Sequence, residues 1–146
     1  MRRLTACAAA AVAIGLAVAG IAAAAAIRHE GTVEGVEGSK VRFAVVKRDG
    51  ELKKIRNLKF QDLPASCSDG SATTVVELAL AKLPIDGKRF AASFPVRGEG
   101  LASGRARYRG RFRKGGKRAS GKIGVEYTLT TGVSCQTGEL DWTSRR

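Results

Sequence analysis

The stretch RARYRGRFR, residues 105–113, decides the fold class of this chain. Arginine occupies every odd position, and apolar or small residues occupy the even ones: Ala106, Tyr108, Gly110 and Phe112. Successive side chains of a β-strand point to opposite faces of its sheet, so this alternation predicts a strand with one cationic and one apolar face. KGGK at 114–117 predicts a turn, and residues 118–129 alternate in the same way. The two segments together predict a hairpin.

The rest of the chain shows the same period of two. Strands are predicted at 41–46, 52–60, 72–82, 90–96 and 139–143, separated by turn signals such as Asp49-Gly50. In the segment 72–82 four side chains are predicted to share a face: Thr74, Val76, Leu78 and Leu80. The pattern predicts an all-β protein, a single antiparallel β-sandwich or partly closed barrel of seven to eight strands, preceded by a helical signal or anchor segment.

The first 26 residues have the three regions of a secretory signal peptide. Arg2 and Arg3 precede an uncharged run at 6–27, in which 13 of the 22 residues are Ala, and the small residues at 24–26 suit a cleavage site. We therefore divide the chain into a signal peptide or uncleaved anchor (1–26), a flexible lead-in or ragged first strand (27–38) and a β-sandwich domain (39–146). The expected location is secreted or extracytoplasmic.

An uncleaved anchor stays open as an alternative. A helix over residues 6–27 would be roughly 33 Å long, enough to cross a bilayer core, and would leave the protein membrane-anchored. Residues 4–7 also resemble a lipoprotein acylation box, but here the apolar run follows Cys7, whereas in lipoproteins it precedes the cysteine. Contact with a membrane is expected only if this segment is retained.

The cysteines support export independently. Cys7 leaves with a cleaved signal peptide, so that Cys67 and Cys135 remain as an even pair. In an extracytoplasmic protein such a pair predicts a disulfide, and two unpaired thiols are the alternative. Two cysteines and one distant histidine do not supply four metal ligands, so we expect neither a metal nor a cofactor.

Several short motifs carry a resemblance. They are Gly110-Arg-Phe112, Ala119-Ser-Gly121, and Cys135 with Gly138 and Trp142 behind it. With these motifs the chain resembles a group of small secreted, disulfide-bonded all-β proteins of high-GC bacteria whose function is unassigned. The resemblance implies the fold and the disulfide, and it implies no activity.

Charge is concentrated in the arginine-rich hairpin. The chain has 26 Lys and Arg against 13 Asp and Glu, and residues 97–122 hold ten basic residues and one acid, Glu99. Strand alternation predicts one shared face, called the basic face below, made of Arg105, Arg107, Arg109, Arg111, Arg113, Arg118 and Lys122. This face is a candidate site for an anionic envelope polymer or polysaccharide. The alternative is that its charges only maintain solubility and protect a sheet edge.

The same pattern argues against specific nucleic-acid binding and gives little material for catalysis. Tyr108 and Phe112 are predicted to turn inward, away from any base that they would stack on. His29, the single histidine, lies just after the expected cleavage point, where we expect disordered chain. We therefore predict no catalytic residue and a non-enzymatic protein. An envelope enzyme with a carboxylate-based site stays open as an alternative, its candidates being Glu77, Asp86, Glu99, Glu126, Glu139 and Asp141.

Overall fold

The computed structural model describes residues 26–146, and they form eight strands. The strands are β1 (Ala26–Val33), β2 (Lys40–Arg48), β3 (Glu51–Cys67), β4 (Ala72–Pro84), β5 (Arg89–Pro95), β6 (Leu101–Arg113), β7 (Arg118–Leu129) and β8 (Ser134–Arg145). A short 3-10 turn, Lys114–Gly116, joins β6 to β7. The all-β prediction is confirmed. The predicted signal or anchor segment lies, except for Ala26, outside the described residues.

The strands form one antiparallel sheet that curls into a partly closed barrel. Their order is β4-β3-β2-β1-β8-β7-β6-β5, so that β1 pairs with both β2 and β8 and joins the first half of the chain to the last. The two edge strands, β4 and β5, are consecutive in the chain. A single bridge, Asp86 to Arg89, lies at the turn between them. The barrel is therefore closed by β1 and open between β4 and β5.

Trp142 lies at the centre of the core and is fully buried. Its ring stacks on Tyr108 with 5.3 Å between centroids, and three more rings surround it at 6.1 Å, those of Phe43, Phe60 and Phe90. A Cβ added at Gly110 would lie 2.7 Å from Trp142 Cζ2, which is too close for two carbon atoms. Glycine on β6 therefore makes the room that the indole occupies.

Two residues with left-handed backbone change the face that β3 presents to the core. Asn57 has a φ of 51° and Asp62 a φ of 60°. At each of them the buried positions change parity, from Ile55 to Leu58 and Phe60, and then to Leu63 and Ala65. Such irregularities bend a strand, and here they let β3 reach beyond β2.

The strand β4 follows this change because it stays in register with β3. Leu78 is buried, but Val76, level with Asp62, is 69% exposed, and Thr74 is exposed as well. The prediction that Thr74 and Val76 share a face with Leu78 and Leu80 is therefore wrong. The reversal at Asp62 moves both side chains to the outer surface.

The far end of β3 runs past β1 and β2 and pairs directly with β8. Ser66 lies opposite Gln136, and Cys67 lies opposite Cys135. The two cysteines form a disulfide across the strands, with their Cα atoms 4.0 Å apart, as predicted. This bond ties together residues 68 positions apart in the sequence. The two halves of the sheet are thus joined by β1 along one stretch and by the disulfide beyond it.

His29 belongs to β1 and is only 1% exposed, so the expectation of disordered chain around it is wrong. Its ring stacks on Phe43 at 4.8 Å. Nε2 lies 3.0 Å from the carbonyl oxygen of Gly116 and donates to it, so Nδ1, 3.3 Å from Ser144 Oγ, accepts from that hydroxyl. Burial, aided by the charge of Arg146, lowers the pKa of His29. A neutral imidazole therefore fastens the β6–β7 turn to β1.

Removing the disulfide is expected to destabilise the domain markedly. The variant with Cys67→Ser and Cys135→Ser should lose about 2–5 kcal/mol of unfolding free energy, because its unfolded chain is no longer cross-linked. Urea denaturation of residues 27–146 measures the loss. Reductant should lower the native midpoint to that of the variant and leave the variant unchanged. If reductant leaves the urea midpoint of the native protein unchanged, the disulfide assignment is wrong.

Acidification is expected to weaken the fold through His29. The unfolded chain binds a proton at the ordinary pKa of 6.5, whereas the folded chain binds it at a lower pH. The free energy of unfolding should therefore fall as the pH drops below 6.5, by at most about 1.4 kcal/mol per pH unit. Urea midpoints between about pH 7 and pH 5 measure this slope. The His29→Gln variant should be less stable at neutral pH, and its urea midpoint should hardly change over that pH range. If its midpoint falls as steeply as that of the native protein, His29 is not the group responsible.

Candidate anion-binding face

The residues of the basic face lie together on the outer side of β6 and β7. All five arginines of β6 are exposed, whereas the residues between them point inward, with Tyr108 and Phe112 each 1% exposed. In the register Arg113 lies opposite Arg118. Arg109 lies opposite Lys122. The structure thus brings all seven predicted residues onto one surface.

Acidic side chains neutralise the middle of this surface. Four ion pairs cross it: Arg107–Glu126 at 3.0 Å, Arg109–Glu139 at 2.8 Å, Lys122–Glu139 at 3.0 Å and Lys122–Asp141 at 3.2 Å. The ammonium group of Lys122 donates hydrogen bonds to Glu139 and to Asp141, and these bonds, that to Glu139 first, raise the pKa of Lys122. In the first half of β6, Arg105 donates to Ser93 Oγ at 3.0 Å. The charge available to a ligand is therefore uneven along the face.

The end of the basic face where β6 ends and β7 begins is called the arginine end below, and it is made of Arg113, Arg118 and Arg145. Arg118 lies opposite Arg113 on one side and opposite Arg145 on the other, so that three arginines form one row across β6, β7 and β8. Within the described residues, none of the three has a carboxylate oxygen within 4.0 Å. Like charges opposite each other in a sheet cost stability, and the acid that continues this row, Glu30 opposite Arg145, contacts Arg42 instead.

A continuous groove follows the face to this end. Two shallow depressions of about 580 and 680 Å³ share Arg109 and Lys122 on their borders. A third, of about 1040 Å³, adjoins them at Arg113 and Ser120. Its lining includes one acid, Glu30, and is rich in cations and hydroxyls: Arg28, Arg113, Lys114, Arg118, Arg145 and Arg146, with Thr32, Ser120 and Thr143. The outward positions of β7 at 120 and 124 are Ser and Gly, whose small size leaves the groove open.

Two residues of this site were not assigned to the basic face from the sequence, although Glu139 was named as a candidate acid of the enzyme alternative. Arg145 completes the arginine end, and Glu139 bridges Arg109 to Lys122. Both belong to β8, whose pairing with β7 includes a register shift between Gly124 and Glu126. Only the charge pattern of residues 139–146 was available as a signal, and it does not state which residue of β7 each one faces.

The carboxylates proposed for an enzymatic site are mostly spent in ion pairs on open surface. Glu77 lies 3.2 Å from Lys59, and Glu126 pairs with Arg107. Glu139 and Asp141 come together only through Lys122, and both side chains are more than half exposed. This geometry forms a surface ion-pair network. A carboxylate-based active site instead needs a dry cleft in which one acid stays protonated.

Other site types find no counterpart in this part of the molecule. Within residues 26–146 no group of three or more His, Cys, Asp or Glu side chains is placed to hold a metal ion. The described part of the chain has no helix with the length and apolar character of a membrane span. Comparisons with known protein families, with curated proteins and with solved structures give no match for this chain.

Proposed function

We propose that this is an exported, non-enzymatic protein of the cell envelope or extracellular space that binds anionic polymers through its basic face. One observation carries the proposal: an exposed row of β6 arginines leads into an arginine end whose three arginines form no ion pair within 4.0 Å among the described residues. The signal-like N-terminal sequence and the Cys67–Cys135 disulfide support export.

The residue types on the face favour charge recognition. Arginine offers a planar fork of donors that suits phosphate and carboxylate groups. The aromatic residues that alternate with the arginines, Tyr108 and Phe112, are buried and present no ring to an unstacked base. Recognition therefore acts on the charged groups of a polymer, with no specific reading of nucleobases. The carboxylate-based enzyme has less support, because four of its six candidate acids lie in exposed ion pairs.

Retention on an immobilised polyanion tests this function. For about four contacts, raising the salt from about 50 to about 200 mM should weaken binding to polyphosphate or heparin on the order of 50-fold. The variant with Arg111, Arg113 and Arg118 changed to Ser should elute at much lower salt. The matched control changes Arg48, Arg56 and Lys82 to Ser, which removes the same charge from exposed positions on β2, β3 and β4.

The two variants separate the proposal from simple solubility. Under the proposal only the first variant loses retention, because only it alters the basic face. Equal losses in both variants would show that net charge alone drives adsorption. Absence of retention in the native protein would overturn the proposed function.

The proposed location has its own test. Intact mass of the protein recovered outside the cytoplasm, before and after reduction and alkylation, reports cleavage and thiol state together. We expect a mature chain that begins near residue 27 and takes up two alkyl groups only after reduction. The mass of the whole chain in a membrane fraction would instead establish a retained anchor.

A further inference from the structure

We propose that the arginine end is a site for a multiply charged phosphate group, a phosphomonoester or pyrophosphoryl group carried by the polymer. This inference rests on the proposed function and specifies the chemistry at one end of the same face. It assigns to Arg113, Arg118 and Arg145 a role distinct from the rest of the basic face. The arginine end would then hold the phosphate of the polymer.

The row geometry is the first reason. Neighbouring strands lie about 4.8 Å apart, so three arginines in one register row are held at close lateral spacing by the sheet itself. Their backbone positions cannot separate without breaking the β6–β7–β8 pairing. A single anion of high charge relieves the repulsion of all three at once.

The nearest acids do not fill this role. Glu30 lies opposite Arg145 in the β1–β8 register, yet its carboxylate contacts Arg42 at 3.7 Å on the other side. Asp141, further along β8, contacts Lys122. In the structure both carboxylates therefore contact other cations, and the three guanidinium groups have no carboxylate oxygen within 4.0 Å among the described residues.

The number and type of donors favour phosphate over carboxylate. A carboxylate has two oxygens and one charge, whereas a phosphomonoester has three terminal oxygens and nearly two charges at neutral pH. The groove of about 1040 Å³ offers the three arginines and, beside them, the hydroxyls of Ser120 and Thr143. This is a larger donor set than one carboxylate can use.

The site is also held in place before any ligand arrives. Its arginines stand on strands, and the turn beside them is fixed by the hydrogen bond from His29 to the carbonyl of Gly116. The backbone N–H of Arg146 donates to the carbonyl of Lys117 at 3.0 Å and closes the other side of that turn. A fixed backbone sets where the three arginine side chains start, which favours a defined site.

Binding of small anions tests the inference. Residues 27–146 are titrated with pyrophosphate at physiological salt and, in parallel, with citrate as the matched tricarboxylate. Pyrophosphate should bind at least about tenfold more tightly than citrate. The variant with Arg118→Lys and Arg145→Lys keeps the charge and loses the paired donors, so its pyrophosphate affinity should fall about tenfold or more. The variant with Arg48→Lys and Arg56→Lys is the matched control, because both positions are exposed and lie outside the basic face, and it should bind pyrophosphate as the native protein does.

The outcomes separate this inference from the function on which it rests. Equal affinity for the two anions, or an unchanged lysine variant, overturns the phosphate site, while salt-dependent retention on the polymer keeps the proposed function. If the native protein binds neither the polymer nor pyrophosphate, the phosphate site and the proposed function are both overturned. Vesicles of phosphatidylcholine with phosphatidic acid form the last arm: if they bind and polyphosphate does not, the phosphate belongs to a lipid and the polymer assignment is wrong. Unfolding midpoints confirm that each variant is folded.

Discussion

The packing of Trp142 on Tyr108 is the interaction on which both the core and the basic face depend. Tyr108 lies on β6 between Arg107 and Arg109, so the contact that anchors the strand to the core also turns its arginines outward. A slip of one residue would exchange the two faces and bury guanidinium groups in an aromatic core. The arginine row is therefore held in place by burial, although its own charges repel one another.

The residues that stabilise the fold and those that carry exposed positive charge lie in different parts of the same sheet. The ion pairs in the middle of the basic face are well exposed, and pairs of this kind contribute little to stability. Their main effect is to set where positive charge is available. β8 carries acids at 139 and 141 and a basic residue at 145, so it neutralises one part of the face and reinforces another. The core and the Cys67–Cys135 bond supply the stability that the repulsion at the arginine end consumes.

Patterns within one strand were predictable, and relations between strands were not. The alternation along 105–113 predicted which side chains point outward, and the cysteine count predicted the disulfide. Arg145 could not be placed because the register of β8 against β7 depends on a shift that the sequence does not display. Val76 was misplaced for a related reason: one left-handed residue, Asp62, reverses the faces of two strands. Its effect appears only in three dimensions.

His29 shows why a residue with catalytic potential serves the structure here. An imidazole that acts as a base needs access to a proton on a substrate, and this ring is sealed between Phe43 and Phe112. Burial keeps it neutral, so it holds the turn below the arginine end without adding a further positive charge there. A lysine or arginine donor at this position would increase the repulsion among Arg113, Arg118 and Arg145. The neutral ring therefore fixes the turn and leaves the charge of the arginine end unchanged.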